Sequence, residues 1–179
     1  LLKSKPELPP SQSKPSTTSP SPIDPWQRKN LSKPVNLQKG SWYYTDADGH
    51  ENKKFGLLYD WPTAQKACPS GTHLPSIKEW DTLIDKYGGI NNPQEADDLL
   101  TFQNLKKAGF QIEFGGTSVP VSSGRNFYGL NRVGYYWSNT LANPETAFVY
   151  HFYKENGEIK IIKISINKSF SCSCLCVQN

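Results

Sequence analysis

The four cysteines constrain this chain most: one stands at Cys68 and three crowd into Cys172-Ser173-Cys174-Leu175-Cys176. The terminal trio lacks the paired Cys-x-x-Cys spacing of a zinc ribbon and has no histidine close by, so it does not read as a metal site. A disulfide from Cys68 to the terminal cluster is the better reading. It closes a loop of about 100 residues, a span for which the chain-entropy account gives roughly 4–5 kcal/mol. It also implies an oxidising compartment. Any fold of the chain must then bring residue 68 against its last ten residues.

The rest of the chain divides in two. Residues 1–40 hold eight of the fourteen prolines and seven serines, with seven Lys/Arg against two Asp/Glu. Proline removes backbone donors, and so few apolar side chains cannot offset the entropy of ordering the segment. It reads as an extended tail or linker with polyproline II character. Its one aromatic, Trp26, is a candidate anchor that docks the tail on the domain or on a partner; the simpler reading is an exposed side chain. Deleting residues 1–40 is expected to leave the domain folded. Residues 41–179 carry thirteen basic and fourteen acidic residues, so the net +4 belongs to the tail. The domain has no basic footprint for nucleic acid. No run of about 18 apolar residues occurs. No signal peptide and no methionine are present, so the expectation is a processed product whose export signal lay upstream. Membrane attachment would then come through that segment or a partner.

From Trp42 the texture becomes that of a folded domain. Trp42-Tyr43-Tyr44-Thr45 favours a strand, and Asp48-Gly49 a turn; Asp46-x-Asp48-Gly49 lacks the further ligands of a calcium loop. Asp60 before Trp61-Pro62 predicts a capped helix ending near Cys68-Pro69. Ser76-x-x-Glu79 is a capping box, and Trp80, Leu83, Ile84 and Tyr87 follow on one helical face up to Gly88-Gly89. A weaker helix is expected from Pro93 to about Thr101. Residues 147–153 and 158–166 flank Asn156-Gly157 and predict a hairpin. Phe170 to Val177 reads as a last strand, with all three terminal cysteines on one face.

Three blocks are more specific: Gly56-Leu57-Leu58-Tyr59-Asp60-Trp61-Pro62-Thr63-Ala64; Ala67-Cys68-Pro69-Ser70-Gly71-Thr72-His73-Leu74-Pro75-Ser76; and Glu79-Trp80. Leu105-Lys106-Lys107-Ala108-Gly109, Gly134-Tyr135-Tyr136-Trp137-Ser138-Asn139-Thr140 and Phe170-Ser171 follow in order. Together, over residues 42–178, they resemble the Fibrobacter succinogenes major paralogous domain. The resemblance implies an α+β, C-type-lectin-like fold: two short helices packed on small antiparallel sheets, with long irregular loops, in an exported bacterial protein. It further implies that Cys68 pairs with Cys174. The chain departs from the family at Thr72, usually Trp, and at Ser173, usually Arg. Cys172 and Cys176 lie outside the pattern.

Functionally, the expectation is an exported, non-enzymatic binding module at the cell surface or outer membrane, a subunit of a larger assembly. No cofactor and no metal are expected. His73 falls in the structural turn of the resemblance, His151 within an aromatic strand, and no Ser/His/Asp arrangement can be argued. Candidate contacts to a protein partner or surface glycan are Asn126, Tyr128, Asn131, Arg132, Tyr136 and Asn139, which mix aromatic faces with amide and guanidinium donors on loops. The simpler reading makes these aromatics core and the polar groups solvated turns. Asn143 and Glu145 flank Pro144 as in a lectin's calcium loop, but in the wrong order relative to Trp137. The alternatives are a sugar-binding adhesin, a structural fibre subunit, and an oxidase akin to formylglycine-generating enzymes, which are larger and use a dedicated cysteine pair.

Overall fold

The computed structural model describes residues 24–32, 39–90 and 98–179. Short strands come first: β1 (Ser41–Trp42), β2 (Tyr44–Thr45), β3 (Glu51–Asn52) and β4 (Leu58–Tyr59). Helix α1 (Trp61–Ala67) starts where the Asp60 side chain accepts the Thr63 N–H at 3.0 Å, and Pro62 fits its first turn. After β5 (Thr72–His73), α2 (Ile77–Tyr87) opens on a complete capping box between Ser76 and Glu79 and ends at Gly88. Helix α3 is Leu99–Lys107, so Leu105-Lys106-Lys107 is helical and Gly109 follows its end. The expected start at Pro93 lies outside the described residues. Strands β6 (Thr117–Val121) and β7 (Gly124–Tyr128) form one hairpin. Strands β8 (Val133–Leu141), β9 (Thr146–Glu155) and β10 (Glu158–Asn167) form an antiparallel sheet in the order β10-β9-β8. A last strand, β11 (Val177–Gln178), pairs with β5.

The architecture of the described residues is α+β, with three short helices and small antiparallel sheets. Alternation along β8 and β9 splits the core over two faces of the sheet. Tyr136, Tyr150 and Phe152 face α2, where buried Trp80 stacks on Tyr150 at 5.5 Å. Trp137, Ala147 and Val149 face Leu57, Tyr59, Ala64 and Leu74 on the other side. The Trp137 indole donates to the Tyr59 carbonyl at 2.7 Å, satisfying its one polar group in the core.

One boundary and one pairing differ from expectation. The segment 24–32 lies as a strap on the domain, the docked alternative for the tail. Gln27 N–H donates to Cys176 O, Gln178 N–H to Pro25 O and Leu31 N–H to Cys174 O. Trp26 meets Trp80 edge-on at 4.9 Å, and Asn30 is buried. Trp26 and Leu31 pack on the core and these backbone bonds hold the segment there, so the folded unit begins before residue 41.

The disulfide also differs: Cys68 pairs with Cys176, 108 residues away, and not with Cys174. Ser173 bridges Tyr136 in parallel, which turns Cys172 and Cys174 into the core beside Trp137 and Tyr59. The chain leaves regular strand geometry after Ser173, so alternation no longer carries Cys176 to the same face. Val177 then pairs with His73, which delivers Cys176 to the end of α1, where Cys68 is the cap residue. Cys172 and Cys174 are buried free thiols, raised in pKa by their burial.

Candidate binding surfaces

The strap helps build a concavity beside α2. Asp24 anchors its start: its carboxylate accepts the Trp26 N–H and the Arg28 guanidinium, each at 3.0 Å, with Lys86 at 3.5 Å. Burial works against ionising Asp24, but these partners outweigh it and hold its pKa below the usual carboxylate value. Arg28 also donates to Ala108 O and lies 4.0 Å over the Phe110 ring. So fixed, the strap runs beside α2 and Val177 and leaves a groove of about 410 Å³. Pro25, Trp26, Leu83 and Val177 give it apolar walls; Lys78, Thr82 and Lys86 come from the exposed side of α2. Its two carboxylates are already committed, Asp24 as above and Glu79 to Ser76 and His73. Lys78 has no ion-pair partner among the described residues. The spacing 78, 82, 86 was legible as the polar face of α2; that a tail segment would wall it was not.

The loop residues singled out from the sequence do not form one site. Tyr136 is fully buried: its hydroxyl accepts the Glu113 N–H at 2.8 Å and an Asn30 amide proton at 3.1 Å, and burial raises its pKa strongly. It belongs to the core, because alternation in β8 turns it toward Trp80. Asn126 and Tyr128 are exposed on one face of β7. Asn131 takes a left-handed φ of 64° in the turn before β8, and the Arg132 carbonyl receives Lys154 N–H. Asn139, Asn143 and Glu145 sit at the far end of β8, about 25 Å along the strand. There the Asn139 amide donates to Leu74 O, and Asn143 Oδ1 accepts the N–H groups of Glu145 and Thr146. Asn143 is therefore a turn-forming residue.

The three histidines are also placed. His73 bridges Asn179 at 2.8 Å and Glu79 at 2.9 Å. Burial opposes its protonation, but those two hydrogen bonds prevail and its pKa is raised. His151 is sandwiched between Tyr135 at 3.9 Å and Tyr153 at 4.7 Å, with neither ring nitrogen hydrogen-bonded among the described residues. His50 lies in the β2–β3 hairpin. Its ligand atom comes within 4.8 Å of those of Asp46 and Asp48, all exposed, and Asp46 Oδ1 already accepts two backbone N–H groups of that turn.

No curated protein and no solved structure matches the chain. The model of the Fibrobacter succinogenes major domain matches residues 17–178, a span that takes in the strap as well as every strand and helix described above. The chain therefore belongs to the Fibrobacter succinogenes major domain family.

Proposed function

We propose that this chain is an exported, non-enzymatic interaction module of the bacterial cell surface or envelope, C-type-lectin-like in its wider kinship and a subunit of a larger assembly. The carrying observation is the groove between strap and α2. It is apolar at its walls, rimmed by Lys78 and Lys86, and its own carboxylates are internally paired. That arrangement suits a protein segment offering an apolar side chain and an acidic group. The Cys68–Cys176 bridge supports export, since such bonds persist in oxidising compartments. The commitments of the histidines to turn, cap and core support a binding role over a catalytic one.

The test is affinity purification from native envelope with wild-type chain and with Thr82→Arg, a surface change that fills the groove. A partner that accompanies the wild type and is lost from the variant, at unchanged thermal midpoint, is the expected result. Identical co-purifying proteins would move the contact off the groove. A glycan reading is favoured by one observation, the exposed Tyr128 ring beside Asn126 on β7. Chemical-shift changes at Tyr128 on adding surface oligosaccharide would support it.

A further inference from the structure

Strand β10 is the outermost of the three-stranded sheet. The two-residue Asn156-Gly157 turn makes Glu155 and Glu158 a hydrogen-bonded pair. Even-numbered residues of β10 therefore bond to β9, and odd-numbered ones turn their N–H and C=O outward. The first outward groups are covered by Asp98, whose N–H donates to Ile159 O at 2.8 Å and whose carboxylate accepts Ile161 N–H at 2.7 Å. Beyond them, Lys163 and Ser165 are exposed, and their outward backbone groups meet no partner among the described residues.

Edge strands are usually guarded against pairing by a free charge, often lysine. Between Ile161 and Asn167 the only charge is Lys163. Its ammonium is drawn away to Asp81 on α2, 3.0 Å from each carboxylate oxygen. On the opposite face, Ile162, Ile164 and Ile166 form a half-exposed stripe along the same edge.

We propose that β10 pairs antiparallel with β10 of a second copy, about a two-fold axis through Ile164. In that register Ile164 faces its twin, Ile162 faces Ile166, and Lys163 faces Ser165. All six isoleucines meet across the seam, the outward groups of residues 163 and 165 bond to each other, and Lys160, opposite Lys168 at either end, is paired with Glu158 at 2.8 Å. Sliding one hydrogen-bonded step one way opposes Lys163 to itself and Ile166 to Lys160; the other way opposes Ile162 to Lys168. Only the central register sets every isoleucine of the stripe against another, which is why a second copy is the occupant. The free edge is short, so the seam falls below the roughly 1,200–2,000 Å² usual for stable specific contacts, and the dimer is weak. The two sheets merge into one of six strands. None of this depends on the groove.

Sedimentation equilibrium of the full chain from micromolar to millimolar concentration reads the association directly. The wild type is expected to dimerise. Ser165→Lys, exposed and so neutral for the fold, sets a second lysine against Lys163 and should weaken the dimer at least tenfold; Ser165→Glu should preserve it. At Ile164 the two-fold makes a non-hydrogen-bonded pair with Cα atoms about 4.5 Å apart, within disulfide reach. Ile164→Cys should thus yield a covalent dimer on mild oxidation, whereas Lys154→Cys should not. A wild type that stays monomeric across the range, or a dimer indifferent to Ser165→Lys, overturns the proposal. So does an edge filled only by a strand of another protein.

Discussion

His73 and His151 carry the same ring and face opposite demands. Burial alone pushes His151 down to about 4, because both tyrosine neighbours offer ring faces and no acceptor. An unfolded histidine titrates near 6.5, so this depressed site contributes stability that is complete above that pH and is lost as pH falls toward 4, roughly 2–3 kcal/mol in all. His73 runs the other way. Its pKa is raised, so its contribution is complete below 6.5 and is lost as pH rises through the folded value. An imidazole NMR titration should show one resonance, His73, moving above the ordinary midpoint and another, His151, still neutral at pH 5. A His151 that titrates near 6.5 contradicts the stacked, dry site. His151→Phe should flatten the fall in urea midpoint between pH 7 and pH 5. The sequence placed His73 in a turn and His151 in an aromatic strand, but the sign of each effect depended on neighbours far along the chain, Asn179 and Tyr135 among them.

At the scale of elements, legibility followed locality. The Asp60 cap, the Ser76–Glu79 box and the Asn156-Gly157 hairpin each depend on residues a few positions apart, and each formed where its pattern stood. Helix α3 runs past the expected end near Thr101 to Lys107, and Asp98 before it caps nothing with its side chain, because that carboxylate accepts Ile161 N–H on β10. The end of the chain was harder still. Ser171 to Ser173 pairs with three separate partners, Ser118, Tyr59 and Tyr136, so alternation within the segment did not decide where Cys176 points. Gly134 shows the same long-range logic in one residue: a Cβ there would run into the Glu113 carbonyl. Gly134→Ala is expected to cost about 1–3 kcal/mol through displacement of that loop, read as a lowered urea midpoint with an unchanged slope. An unshifted midpoint would mean that the 111–115 segment yields freely.

For the whole molecule, the bridge to Cys176 and the strap act on the same end of the domain. Peptide mapping without reductant should recover Cys68 linked to Cys176, with Cys172 and Cys174 alkylated only after denaturation. A Cys68–Cys174 peptide would overturn the geometry. Cys68→Ala with Cys176→Ala should lose several kcal/mol, whereas Cys174→Ser should act through core packing alone.

The strap enters beside residues 176–178, so the two ends of the described domain lie side by side. Load applied between residues 24 and 179 would peel the strap bond by bond and then run from Cys68 through sulfur to Cys176. Everything between those cysteines, α2, α3 and the three-stranded sheet included, lies outside the path of tension. Stretched in the oxidised state, the chain would surrender residues 24–67, about 150 Å of contour, and then hold. Only a reductant would put the remaining core under force.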